Sequence, residues 1–163
     1  MEDLVEITLQ TKYAVEQFRI QPRIAFVSYS NFGSNPGNIP NKQRDAIAYL
    51  HENYPDMIVD GEMQANVALN PEILEKNFPF SKLLGGSANA LIFPYLTAAN
   101  IAYKLLQEMA DVEVIGPILN GLNKSVHILP IGATVKEIVN MVMIAALDAQ
   151  CVHRRDKGEK CVE

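Results

Sequence analysis

Three stretches of this 163-residue chain collect side chains that can hold a small anion or move a proton. The first is VIGPILNGLNKSVHILPIG, Val114 to Gly132. An apolar strand candidate, Val112 to Ile115, runs there into Gly116-Pro117, and Gly121 opens a polar turn, Asn120 to Ser125, that carries Lys124. A second apolar run, Val126 to Leu129, follows. A glycine-rich turn at a strand's carboxyl end lets backbone N–H groups approach a ligand with no Cβ in between; the same spacing also suits a tight connection that binds nothing. The second stretch is Ser28-Tyr29-Ser30-Asn31-Phe32-Gly33-Ser34, directly after the run Ile24 to Val27. Ser28, Ser30, Asn31, Gly33 and Ser34 can donate several hydrogen bonds to phosphate oxygens, and they are equally the residues of an ordinary turn. The third is Asp60-Gly61-Glu62, at the carboxyl end of the strand expected over Met57 to Val59. Two carboxylates there can orient a substrate hydroxyl or take a proton. An Asp in that place also caps a following helix, and capping is the favoured reading because Gln64 to Leu69 looks helical and its first N–H groups need an acceptor.

Other chemistries find little support. His51, His127 and His153 stand in no motif with a serine or cysteine nucleophile, and His127, between Val126 and Ile128, reads as a hydrogen-bonded strand histidine. Cys151, His153 and Cys161 lack a fourth ligand at matching spacing, so no metal site is expected. No GxGxxG follows the first strand, which removes the nicotinamide fingerprint. A formal net charge of −5 without a basic stripe argues against a nucleic-acid partner. No apolar run is long enough for a spanning helix, so no membrane partner is expected. Two cysteines and no signal-like apolar N-terminus point to a reducing, cytoplasmic setting.

The elements that must position these loops alternate along the chain. Glu2 to Phe18 has an acidic first turn and helical apolar spacing. Ile24 to Val27 is a continuous apolar run, the pattern of a parallel strand buried on both faces. Asn35 to Asn41, with Pro36, Gly37 and Pro40, reads as a mobile loop before a helix over Gln43 to Asn53. A short helix over Pro71 to Lys76, a loop ending in Gly85-Gly86-Ser87, a strand over Leu91 to Phe93 and a helix over Thr97 to Met109 follow. Gly-Gly-Ser alone is weak evidence for a phosphate site. Thr134 is an N-cap with Glu137 as its capping-box partner, opening a helix to about Gln150. That helix is apolar on nearly every side from Val135 to Leu147, so one face can meet the sheet while the other needs a partner. The reading is a single α/β domain, three-layer α/β/α with a mostly parallel sheet flanked by helices, followed by a charged, disordered tail over 151–163.

Four motifs taken together resemble one family, the phosphate acetyl/butyryltransferases: RIAFVSYSNFGS (Arg23 to Ser34), VDGEMQANVAL (Val59 to Leu69), GGSANALIFPYLTAANIAYKLL (Gly85 to Leu106) and VIGPILNGLNKSVHIL (Val114 to Leu129). SYSNFGS, the HIL before Pro130 and IVNMVMIAALDAQ (Ile138 to Gln150) are most similar to the phosphotransacetylase-like domain carried by long bacterial NADP-dependent malic enzymes. The resemblance implies the isocitrate/isopropylmalate dehydrogenase-like fold, in two α/β domains with a cleft between them. Residues 1–150 would supply the second domain and the last helix of the first, which makes the chain an expected fragment.

The resemblance also implies a site. Ser28, Ser30, Asn31, Gly33, Ser34, Asp60, Glu62, Gly116, Pro117, Asn120, Gly121 and Lys124 would form one wall of a cleft for acetyl-CoA or a related anion. Glu137 falls where the family has a catalytic carboxylate. Working transacetylases carry Ser-Arg-Gly after the strand ending at Leu129, and here the chain reads Pro130-Ile131-Gly132. Arginine offers a permanently charged fork to phosphate and isoleucine offers nothing comparable, so Glu137 would be vestigial. The expected role is a regulatory module that binds acetyl-CoA as an effector and pairs as a homo-oligomer, a dimer through residues 134–150. It would hold no cofactor itself, with NADP and a divalent metal in a malic enzyme domain of the same parent chain. The alternative is a fragment of an active phosphate acetyltransferase.

Overall fold

In a computed structural model, residues 1–110, 112–158 and 161 are described, and the chain forms six helices and three strands among them. The order is α1 (Glu2–Gln17), β1 (Ile24–Val27), α2 (Asn38–Asn53), β2 (Val59–Met63), α3 (Ala65–Leu69), α4 (Pro71–Asn77), β3 (Ala90–Ile92), α5 (Leu96–Met109) and α6 (Val135–Asp156). The strands make one parallel sheet in the order β2-β1-β3. Each residue of β1 is buried, as a central parallel strand covered on both faces requires.

Two apolar layers sandwich this sheet. On one side Ile24, Phe26 and Val59 pack with Val5 of α1 and with Ala46, Ile47 and Leu50 of α2. On the other, Ala25, Val27 and Met63 pack with Val67 and Ala68 of α3, Leu74 of α4, and Leu83. The expected three-layer α/β class is therefore the observed one. Local chemistry sets the elements: Asn70 Oδ1 accepts from the N–H groups of Glu72 and Ile73 at 3.0 and 3.2 Å, with Pro71 in the first turn where no N–H is needed. Thr134 and Glu137 close a full capping box at the start of α6.

The structure corrects several boundaries. β2 continues through Asp60, Gly61 and Glu62 to Met63, so the two carboxylates lie inside the strand. Pairing shifts between Phe26 and Val27, whose partners are Gly61 and Met63, and Glu62 is the bulged residue. Helix α2 begins at Asn38 within the expected loop; Pro40 sits in its first turn, where the missing N–H costs nothing. Helix α6 runs past Gln150 to Asp156, with His153, Arg154 and Arg155 in its last turn where positive charge suits the helix dipole. Cys151, buried on this helix, is joined to Cys161 in a disulfide, a pairing that differs from the reduced thiols expected of a reducing setting.

The largest correction concerns Val112 to Ile115 and Val126 to Leu129. Neither forms a strand; both lie in the irregular segment between α5 and α6, with Val112, Val126 and Ile128 exposed. Alternating apolar residues make a strand only when a neighbouring backbone completes the ladder, and none of the three described strands does so. Helix α5 likewise buries no residue, and Leu106 stands 61% exposed. On α6, Met141, Ile144 and Cys151 are buried while Val139, Val142 and Met143 face outward, as its all-round apolar pattern implies.

Candidate functional site

The loop after β1 is built around Glu62. Its side chain is fully buried, and Oε1 accepts from Ser30 Oγ at 2.7 Å, from the Gly33 N–H at 2.8 Å and from Arg44 Nη1 of α2 at 3.1 Å. The Ser30 oxygen accepts in turn from the Asn35 N–H at 3.0 Å. Gly33, at φ +87°, turns the loop beneath the Arg44 guanidinium. Asn31 Oδ1 accepts from the Gln64 N–H at 2.7 Å, and Ser34 Oγ accepts from the Asn31 N–H at 2.9 Å. Ser30, Asn31, Gly33, Ser34 and Glu62 thus converge, and the atoms just named are spent on holding the loop, while Glu62 Oε2 is buried with no partner among the described residues.

Asp60 does not cap α3. Its Oδ2 accepts from Ser81 Oγ at 2.8 Å and from the Lys82 N–H at 2.7 Å, which fastens the loop after α4 to the sheet; the residue before α3 is Gln64, served by Asn31. The Gly85-Gly86-Ser87 turn is the reverse of an anion cradle. Its carbonyls point at the Arg23 guanidinium, which donates to Leu83, Leu84, Gly86 and Ser87. What the first loop leaves open is Ser28, whose Oγ is buried without a partner. It lines a 260 Å³ cavity with Val27, Tyr29, Ile39, Phe93 and Pro94, at the carboxyl ends of β1 and β3. That is the usual ligand position of a parallel sheet.

Asn120, Gly121 and Lys124 open elsewhere. They line a larger cavity, 430 Å³, against Glu6, Gln10 and Tyr13 of α1 and Asp148 and Arg155 of α6. Gly121 has φ +80°, a backbone that other residues adopt only with strain, and a Cβ there would also displace the Gln10 amide, 2.8 Å away. The expected single wall is therefore two separate cavities, and Gly116 and Pro117 line neither. The physical reason is the missing ladder: without paired strands, the irregular segment carries its polar turn against α1 and α6.

Glu137 is committed to the helix end. Its Oε2 accepts from the Thr134 N–H at 2.7 Å and the Thr134 hydroxyl at 2.9 Å, and these bonds hold its pKa below the usual carboxylate value. Ile131 is fully exposed and brings no charge. His127 is nearly buried, with Nε2 3.2 Å from Ser125 Oγ and 3.3 Å from Asp148 Oδ2, while Nδ1 has no partner. Serine and carboxylate meet the same ring nitrogen, so this trio cannot relay a proton as a nucleophilic triad does.

Sequence reading missed Arg44, the cation beside Glu62, and Arg23. The available signal was a glutamate inside a buried strand, which must find a positive partner. Among the described residues no three His, Cys, Asp or Glu side chains gather as a metal site, and no helix is long and apolar enough to cross a membrane.

A protein-family profile described as "Phosphate acetyl/butaryl transferase" matches residues 1–146. An NADP-dependent malic enzyme of Haemophilus influenzae is 42% identical over 149 residues, which is 91% of this chain and 20% of that protein. A phosphate acetyltransferase of Bacillus subtilis is 37% identical over 148 residues, covering 91% of this chain and 46% of its own length. The solved EutD phosphotransacetylase from Staphylococcus aureus superposes with a TM-score of 0.82 at 33% identity, over 90% of this chain and 45% of that one. The chain thus spans about a fifth of the malic enzymes and under half of the transferases it matches.

Proposed function

The chain belongs to the phosphate acetyl/butyryl transferase family, and from that premise we propose that it is the phosphotransacetylase-like regulatory module of an NADP-dependent malic enzyme, binding acetyl-CoA as an effector with transfer chemistry lost. The observation that carries this reading is Pro130-Ile131-Gly132, where the working enzymes of the family place Ser-Arg-Gly. An exposed, neutral Ile131 cannot steady the charge that builds on a phosphate or thioester oxygen. Glu137 is held by Thr134 and has no cation at that position to work with.

In this reading the malic enzyme region of the parent protein holds NADP and a divalent metal, and oxidises malate in the cytoplasm. Ser28, at the cavity beside the strand ends, and the turn from Asn120 to Lys124 each supply part of the acetyl-CoA surface. The outward face of α6, with Val139, Val142 and Met143, pairs with a second copy. The decisive experiment measures acetyl phosphate formation from acetyl-CoA and phosphate. No turnover above buffer is expected, and sustained turnover overturns the assignment in favour of a transferase. In an intact malic enzyme carrying this region, acetyl-CoA should change the rate of malate oxidation. Replacing Asn120 and Lys124 by Ala should abolish that response, and a response unchanged by both places the effector elsewhere.

A further inference from the structure

We propose that Cys151 and Cys161 are a reversible redox site, a dithiol that a low-molecular-weight disulfide converts to the cross-link, and that its state sets the order of the end of α6. The two residues are 10 apart in sequence and their Cα atoms lie 4.5 Å apart, within the span that a disulfide bridges. Three features bring them together. Cys151 falls on the inward face of α6 with Met141 and Ile144, and is 1% exposed. The helix ends at Asp156, and Gly158, at φ +74°, turns the chain through a backbone that other residues adopt only with strain. Arg154 Nη1 donates to the Cys161 carbonyl at 3.2 Å, which sets Cys161 beside the helix.

The loop so closed is short and joins no other element to α6, so the bond holds one helix end rather than the fold, and it gains less from chain entropy than a long-range cross-link would. In the reducing setting expected from the sequence, a bond of this kind is transient and redox-sensing. Val152 and Arg155, which line the cavity against α1, lie within the loop; the cross-link fixes that wall and its reduction releases it. The exchange enters through Cys161, which is partly exposed, whereas Cys151 is buried. The Cys161 thiolate attacks one sulfur of the small disulfide and expels one small thiol, leaving a mixed disulfide on Cys161. The Cys151 thiolate then attacks the Cys161 sulfur and expels the second. Two electrons pass from the protein to the small disulfide, and the two thiol protons end on the released thiols.

The test uses the 163-residue protein equilibrated in mixtures of reduced and oxidised glutathione, quenched with a maleimide and weighed by mass spectrometry. Oxidation should give a single chain that has lost two hydrogens, carries no glutathione and takes up no maleimide; excess thiol should restore both labels. Amides from Val152 to Gly158 should exchange about tenfold more slowly in the oxidised form, with those of β1 unchanged. Cys161→Ser should exchange like the reduced parent in every buffer. Gly158→Ala should shift the equilibrium about tenfold towards the dithiol, because the left-handed backbone strains alanine only when the loop is closed. Two thiols that stay labelled throughout, lasting glutathione adducts, disulfide-linked dimers, equal exchange in the two forms, or an equilibrium unmoved by Gly158→Ala each overturn the inference.

Discussion

Removing the Arg44 side chain tests the reading of Glu62 as the keystone of the loop after β1. In Arg44→Ala the fully buried Glu62 carboxylate keeps Ser30 and the Gly33 N–H but loses the one cation paired with it among the described residues. Stripping one partner from a buried pair costs about 3 to 5 kcal/mol. The Arg44 side chain is 37% exposed, so water already screens part of this attraction, and the expected loss falls to about 2 kcal/mol. For a domain of this size that is a drop of roughly 4 to 8 °C in melting temperature. Glu62→Gln removes the charge and preserves the shape. In the double variant, Arg44→Ala should then cost little, giving a coupling of about 1 kcal/mol or more. Urea melts followed by circular dichroism supply all four corners of the cycle. If Arg44→Ala stays within about 0.5 kcal/mol of the parent, or the two effects simply add, Glu62 does not depend on Arg44 and the loop is organised by something else.

Three further outcomes follow from the same geometry. Gly61→Ala should prevent folding, because the new Cβ would lie 2.7 Å from the Phe26 carbonyl oxygen at φ +136°; soluble protein with an unchanged melt would refute the close approach of β1 and β2. Thr134→Ala should cost about 1 kcal/mol by opening the capping box, read as reduced helicity in a urea melt. The pKa values of Glu113 and Glu137 are both lowered, by hydrogen bonds from Lys136 and Asn140 and from Thr134 respectively. Their stabilisation is therefore complete above the ordinary carboxylate pKa and lost as pH falls through the depressed values. An acid titration of helicity should show this loss in the parent and a weaker one in Glu137→Gln; identical curves would refute the assignment to Glu137.

The parts of the molecule legible in sequence are those set by near neighbours. Ile24 to Val27 reads as a buried strand because four consecutive apolar residues leave no face for water, and Thr134 with Glu137 reads as a helix start because cap and partner lie within one turn. Glu62 was misread for the opposite reason. Its hydrogen-bond donors come from Ser30, Gly33 and Arg44, all brought together by the sheet, and spacing along the chain does not encode them. The same holds for Val112 to Ile115 and Val126 to Leu129: their alternation reports a capacity to pair, while pairing needs a second backbone that these residues do not specify. Ser28 to Ser34 and Asn120 to Ser125 are irregular in the structure, as their composition implies, yet which of their polar atoms remain free is legible only once the internal hydrogen bonds are known.

The bulge at Glu62 has a mechanical meaning for the whole domain. A regular strand would present Val59 and Met63 to the same side, but the extra residue sends Val59 into the layer beneath α1 and α2 and Met63 into the layer above α3 and α4. One five-residue strand therefore crosses between both apolar layers, and neither layer can loosen while the other stays intact. The domain should open as one cooperative unit, with the amides of β1 and β2 exchanging only through global unfolding, while α5, which buries no residue, exchanges through small local openings far below that threshold.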